Sequence, residues 1–202
     1  MNLLDMIQGQ MDDGVVSQLS KTIRADKGAT ATAANGVLAT MVTALSKNAA
    51  KPEQGQALLN ALDRDHDGGI LGNLMNVVSG AGSQTSRATN GMGILEHVLG
   101  GKTNNVMQMV SKSSGLDLLK TGELMKLLAP VVMGVLGKTR KEKGLDLGGL
   151  TGLLSGTVSQ AAKGGQEMGM ISKLLDADGD GSIMDDVAGM GMKVLGNMFR
   201  KR

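Results

Sequence analysis

The sequence predicts an all-α protein built from two tandem helical repeats, and three observations lead to this prediction. Apolar residues recur at helical spacing along most of the 202 residues. The pattern of the first half returns after an offset of 91 residues, which places Leu3 on Ile94 and Asp26 on Asp117. Each half also contains one acidic stretch, in which three Asp occupy alternate positions ahead of a Gly. We therefore expect two copies of one helical unit, each with an acidic loop.

The first repeat is expected to occupy residues 1–80. Its apolar spacing predicts several helices, and Asp12 and Asp13 suit the start of the second one. The predicted segments are two short helices within 2–25, a long helix at 29–48, a helix at 53–62 after Pro52, an acidic loop at 63–73 and a helix at 70–79. The small polar residues that follow indicate a linker at 81–92.

The second repeat is expected at 93–202 and is longer than the first. Its acidic stretch starts 113 residues after the first one, so 22 extra residues lie between Lys138 and Asp176. We place them in a Gly-rich insertion at about 144–168, whose five Leu favour a packed helix over a mobile surface loop. Pro130 is expected to kink or divide the helix that matches the long helix of the first repeat.

Both acidic stretches resemble the first part of an EF-hand calcium loop. Asp63–Gly68 (DRDHDG) and Asp176–Gly181 (DADGDG) fit the pattern D-x-[DN]-x-[DN]-G, in which alternate carboxylates point at one hard cation and the Gly permits the turn. The bidentate Glu that normally closes the loop is absent, since Leu74 and Val187 stand at that position. We therefore predict shortened loops, at 63–73 and 176–186, that close one residue earlier.

Each loop is predicted to bind Ca²⁺ through five groups. In the first loop they are the side chains of Asp63, Asp65 and Asp67, the main-chain carbonyl of Gly69, and Asn73. In the second loop they are the side chains of Asp176, Asp178 and Asp180, the main-chain carbonyl of Ser182, and Asp186. Five carboxylates surround the second loop and three the first, so we expect tighter binding at the second. The alternative is a polar turn whose carboxylates cap the following helix.

Composition limits the partners and the location. The apolar fraction of 41% is enough to bury a core, and the formal charge of +2 is too small to predict nucleic-acid binding. The chain has no Cys, Tyr or Trp, which excludes disulfides, thiolate metal sites and the usual base-stacking platforms. The longest apolar run, 127–137, is shorter than the ~20 residues of a membrane-spanning helix. The N-terminus lacks signal-peptide features, so we expect a cytoplasmic protein.

The sequence contains no catalytic constellation that we can recognise. Two GKT triplets lack the first Gly of a phosphate loop, and no G-x-S-x-G occurs. His66 and His97 have neither Cys partners nor H-E-x-x-H spacing, so we expect both to be surface residues. Catalysis would have to depend on carboxylates alone, and the metal loops explain the clustered ones better. We therefore expect a protein that is not an enzyme.

Three short segments carry a further resemblance: MNLLD at 1–5, LSKN at 45–48 and LDRDHDG at 62–68. In these segments and their order, the chain resembles the YidB-like family of small bacterial proteins of unknown function. The resemblance covers each repeat and implies a bacterial, all-helical protein. It implies no chemistry, because that family has none established.

These features predict a non-enzymatic calcium-binding protein in which the ion stabilises or switches helix packing. The alternative is a self-associating scaffold, a homo-oligomer in which Gly-, Ala- and Met-rich helix faces pack between subunits and the acidic loops are structural staples. A third and less favoured option is attachment to anionic surfaces through the basic residues at 138–143 and 200–202.

Overall fold

Helix is the only regular structure in the part of the chain that the computed structural model describes, which is residues 2–81 and 86–163. The α-helices there are α1 (Leu3–Gln8), α2 (Asp13–Thr22), α3 (Lys27–Ala49), α4 (Pro52–Asp65), α5 (Leu74–Val78), α6 (Gly91–Leu99), α7 (Thr103–Ser114), α8 (Leu118–Lys143) and α9 (Leu147–Lys163). Two short 3-10 helices occupy Gly69–Asn73 and Gly100–Lys102. The predicted all-α fold class is confirmed.

Short polar side chains start six of these helices. Each accepts a hydrogen bond from the backbone N–H three residues further along, and the six are Asn2, Asp12, Asp26, Asn90, Asp117 and Asp146. This bond satisfies one of the donors that a helix N-terminus leaves without an internal partner. The capping residues therefore fix where α1, α2, α3, α6, α8 and α9 begin.

The first turns of α3 and α8 have the same arrangement 91 residues apart. Thr30 and Thr121 are fully buried, and their hydroxyls donate to the carbonyls of the N-caps Asp26 and Asp117 at 2.7 and 2.8 Å. At the same offset, the bounds of α1, α2 and α3 lie within three residues of those of α6, α7 and α8.

One hydrophobic core joins the two predicted repeats. Leu38 and Met41 of α3 are fully buried in the same cluster as Leu128 and Val132 of α8. α3 packs against α7, α8 and α9, all of which come from the second half of the chain. The described helices of the two repeats thus do not bury separate cores.

α3 is also long and apolar enough to cross a membrane. Of its most apolar window, 61% is buried inside the molecule, and a core helix passes the same test of length and composition. The sequence predicts this helix at 29–48 but does not mark it as a candidate membrane span, because small and polar residues interrupt its apolar runs. Its role in the fold is that of the central helix, which packs most extensively against α7, α8 and α9.

Pro130 lies inside α8 without dividing it. The helix is continuous from Leu118 to Lys143, so a division near Ala129 is wrong, while the alternative, a kink there, stays a prediction. An internal Pro removes one backbone hydrogen bond and costs about 3 kcal/mol in an isolated helix. Here Pro130 and its neighbours on both sides are buried, and that burial offsets the cost.

The predicted Gly-rich insertion forms a packed helix, α9, over much of its length. Leu150 and Leu154 are fully buried against the core. The Thr151 hydroxyl donates to the carbonyl of Ala49 at 3.2 Å, and Thr157 Oγ1 accepts from the N–H of Leu3 at 3.2 Å. These contacts join α9 to the end of α3 and the start of α1.

The predicted linker is partly helical. Residues 82–85 lie outside the described residues, and α6 already begins at Gly91. A Cβ on Gly91 would stand 1.9 Å from the carbonyl oxygen of Lys126, so only glycine permits this approach of α6 to α8. The start of α6 is therefore set by backbone packing as well as by its Asn90 cap.

Candidate functional site

The first acidic stretch begins inside α4. The helix continues to Asp65, three residues beyond its predicted end, so Asp63 and Asp65 both lie in its last turn. Residues two apart on a helix project to different sides, whereas in a metal loop alternate residues point at one centre. The helical turn therefore separates two of the carboxylates that the sequence places together.

The turn after α4 follows the predicted pattern more closely. His66 ends the helix, and Gly68 has φ 95°, the left-handed conformation for which the motif requires glycine. The 3-10 helix Gly69–Asn73 follows and leads into α5. The predicted helix at 70–79 is thus a 3-10 segment and one short α-helix.

Two acids of the stretch pair with basic residues near the end of α8. Asp63 accepts a hydrogen bond from the guanidinium of Arg140, and Asp67 lies 3.6 Å from the Lys141 ammonium. Asp67 also accepts from the N–H of Gly69 at 3.0 Å. This N–H, and after it Lys141, lowers the pKa of Asp67 below its usual value. Both carboxylates are therefore paired with cations of another helix.

The backbones meet closely at the same place. A Cβ on Gly137 would stand 1.6 Å from the carbonyl oxygen of His66, and one on Gly68 would stand 2.7 Å from the Cβ of Lys138. Glycines on both sides allow the turn and α8 to come this close. We call the packing of residues 63–69 against residues 137–141 the loop–α8 contact.

The predicted first-loop ligands are thus distributed around this contact. Asp63 and Asp67 face α8, Asp65 lines a cleft described below, Gly69 lies in the 3-10 helix, and Asn73 is exposed. Within residues 2–81 and 86–163, no three His, Cys, Asp or Glu side chains are grouped to hold a metal ion. The five second-loop ligands lie outside the described residues: Asp176, Asp178, Asp180, Ser182 and Asp186. Calcium binding stays a prediction at both loops.

The basic segment 138–143 is the C-terminal end of α8. Lys138 pairs with Glu142 of the same helix at 3.8 Å, and Arg140 and Lys141 pair with the first acidic stretch. These internal pairs reduce the charge that the segment can offer to an anionic surface. The basic residues 200–202 lie outside the described part of the chain.

A cleft of about 750 Å³ lies between α4 and α6, above α3 and α8, and both histidines line it. His66 is only 5% exposed, so its predicted surface position is wrong, while His97 is exposed as expected. Burial lowers the pKa of His66, and the nearby carboxylate of Asp65 opposes this effect only in part. The imidazole is therefore neutral at neutral pH, and its enclosed Nδ1 has no hydrogen-bond partner.

The sequence analysis did not identify this cleft. Lys51, Gln54, Leu58, Ala61 and Asp65 recur at helical spacing and form the α4 wall. That spacing was a usable signal for one face of α4. It could not indicate that α6, more than twenty residues further along, lies opposite.

In comparison with known proteins, the chain matches the model of a family described as a bacterial protein of unknown function (DUF937). No curated protein and no solved structure matches the chain. The family match covers residues 5–139, about two thirds of the chain. It runs from α1 almost to the end of α8 and includes the first acidic stretch, while α9 and the second acidic stretch lie beyond it. The chain therefore belongs to the DUF937 family of bacterial proteins, whose function is unknown.

Proposed function

We propose that this chain is a non-enzymatic, helical, calcium-binding protein of duplicated design, in which each acidic loop fixes the packing of neighbouring helices. The observation that carries the proposal is the loop–α8 contact. There the acidic end of α4 is neutralised and held by Arg140 and Lys141 of another helix. At the second loop we assign the same task to a calcium ion.

The charge pattern of the second loop supports this assignment. Five Asp occur between Asp176 and Asp186, and no Lys or Arg occurs between Leu174 and Met192. Carboxylates this close in sequence repel one another unless a cation lies among them. Carboxylate and carbonyl oxygens are the ligands that Ca²⁺ prefers. The first stretch, by contrast, contains Arg64 and receives two further cations from α8.

The first loop fits calcium less well in the conformation described here. Asp63 and Asp65 project to different sides of α4, and Asp63 and Asp67 already have cationic partners. A calcium ion at this loop would have to replace Arg140 and Lys141. We therefore expect the second loop to bind calcium more tightly than the first.

Calorimetric titration of the purified chain with CaCl₂ tests the proposal. We expect a binding heat that the double variant Asp176→Asn/Asp178→Asn loses. The matched double variant Asp63→Asn/Asp67→Asn removes the same number of charges from the first loop and should keep the tighter site. An absence of heat at millimolar calcium, or equal loss in both variants, would contradict the assignment.

The duplicated design is supported by the caps and buried threonines that α3 and α8 share at one offset. This offset agrees with the apolar pattern from which the repeat is predicted. The chain belongs to the DUF937 family, and its resemblance to the YidB-like family stays a separate hypothesis. The match to one family model covers most of the first copy and less than half of the second, and it neither requires nor opposes a duplication.

The second candidate function, a self-associating scaffold, rests on apolar side chains at the surface. Leu119 is 84% exposed, and Leu118, Met75 and Met92 are each more than two fifths exposed. Light scattering in a chelator separates the two candidates. Large assemblies that persist without calcium would favour the scaffold, whereas a monomer with a calcium-dependent melting temperature would favour the calcium-binding protein.

A further inference from the structure

The cleft between α4 and α6 has the dimensions of a binding groove for an extended chain. Its volume of about 750 Å³ lies within the range of ligand sites. One wall follows α4 from Lys51 to His66, and fifteen residues of helix rise by roughly 20 Å. An extended peptide of about six residues covers the same distance.

The centre of the groove is apolar. Leu58 of α4, Ile94 and Val98 of α6, Leu45 of α3 and Met133 of α8 line it, and each is largely buried. Ala57 and Ala61 complete the α4 wall and, being small, leave the groove open. An occupant gains free energy here by burying apolar side chains.

Polar atoms along the groove suit a peptide backbone. Asn48 donates its Nδ2 to the carbonyl of Val98 at 3.1 Å, which leaves its Oδ1 as an acceptor. Asn90 accepts at Oδ1 from the N–H of Gly93, which leaves its Nδ2 as a donor. A peptide group needs one acceptor and one donor, and these two carboxamides supply both. His66 adds a buried imidazole whose Nδ1 has no hydrogen-bond partner among the described residues.

The charges around the groove balance. Lys51 and Arg87 oppose Asp65 and Glu96, and within the described residues none of the four forms an ion pair. A rim with two positive and two negative groups does not attract a polyanion such as nucleic acid. It accepts an occupant that is uncharged or carries both signs.

From this lining we propose that the α4–α6 cleft binds an extended segment of a partner protein, about six residues long, with apolar side chains at alternate positions. Alternate side chains of an extended segment point to one side, which places them on the apolar floor. The backbone then meets the free amide atoms of Asn48 and Asn90. Among the described residues the cleft shares one predicted metal ligand, Asp65, with the first acidic loop, so the interaction is tested without calcium.

The probe is an acetylated and amidated hexapeptide, Leu-Ser-Trp-Ser-Leu-Ser, titrated with the chain in EDTA. The chain has no Trp or Tyr, so the emission and anisotropy of the peptide indole report binding alone. We expect a blue shift and a dissociation constant below about 1 mM, a limit that corresponds to weak but specific binding. The peptide Ser-Ser-Trp-Ser-Ser-Ser should bind at least tenfold more weakly.

Matched variants locate the site. Ala57→Phe fills the groove and should weaken binding at least tenfold, whereas Gln56→Phe places the same ring on the neighbouring exposed position and should leave binding within twofold. If Ala57→Phe does not melt cooperatively, Gln54→Phe, also exposed and lining the cleft, replaces it. No binding of either peptide, or equal binding by the groove and control variants, would overturn the proposal.

Discussion

Gly137 is the residue at which α8 comes closest to the first acidic loop. A Cβ there would meet the carbonyl oxygen of His66 at 1.6 Å, and both atoms belong to backbone that cannot rotate away. We therefore expect Gly137→Ala to lower the free energy of unfolding by about 2 kcal/mol or more, since overpacking of a close contact typically costs 1–3 kcal/mol. Urea unfolding followed by circular dichroism measures the change.

Gly152 provides the control for the substitution of Gly137. A Cβ on this residue of α9 has no atom within 4 Å, and the residue is exposed. Gly152→Ala should raise stability by up to about 1 kcal/mol, because alanine is favoured over glycine inside a helix. If Gly137→Ala behaved in the same way, the loop–α8 contact would be looser than the structure has it.

The start of α8 is an element whose stability depends on one carboxylate. Asp117 caps the helix, and the backbone N–H of Lys120, followed by the Lys120 side chain, lowers its pKa. A carboxyl whose pKa is lower in the folded than in the unfolded state stabilises the fold above its unfolded value of ~3.9. This stabilisation is lost as the pH falls through the folded value.

Asp117→Asn should therefore flatten the acid limb of the stability curve. Asparagine keeps the capping acceptor but does not titrate, so stability near pH 7 should change little while the loss below about pH 4 becomes smaller. Chemical unfolding at a series of pH values from 2 to 7 measures both effects. Glu123→Gln, an exposed carboxylate of the same helix outside its cap, is the control. An unchanged acid limb in Asp117→Asn would contradict the assignment.

Element boundaries were predictable where local chemistry sets them. The cap at Asp12 is predicted by a polar residue ahead of the apolar pattern of α2. The packed helix of the insertion is predicted by the spacing of its Leu residues. The last turn of α4 was not predicted from the sequence, because the D-x-D-x-D-G pattern predicts a loop there. Its Asp63 pairs with Arg140, which is 77 residues away in the chain, and no local signal contains that partner. The uninterrupted passage of α8 through Pro130 likewise depends on burial by other helices.

The candidate cleft and the buried His66 belong to the scale of the whole molecule. The cleft exists because α6, from the second half, lies beside α4, from the first. Asn48 at the end of α3 bonds to Val98 near the end of α6, which joins the halves at this place. Periodicity finds the apolar face of each helix but not its neighbour. The apolar pattern therefore predicts a repeat, but it predicts neither the shared core nor the cleft.

The shared core leads to a prediction about the first repeat alone. Residues 1–80 include α3, which packs against α1, α2 and α4 of the same fragment but more extensively against α7, α8 and α9, which lie later in the chain. Burial of one Leu or Met side chain contributes roughly 1.5–3 kcal/mol, and a whole domain is stable by only about 5–15 kcal/mol. Exposure of a few residues such as Leu38 and Met41 is therefore enough to unfold the fragment.

We expect the fragment 1–80 to show no cooperative thermal transition by circular dichroism or calorimetry. The fragment 1–163 holds every core residue described here and should melt in a single transition, which makes it the matched control. A cooperative transition in 1–80 would mean that the repeat folds by itself and that its contacts with α7, α8 and α9 join two preformed units. A single transition confined to 1–163 would instead mean that the first copy is not a folding unit by itself, because the surface of α3 that packs against α7, α8 and α9 is covered only when the second copy is present.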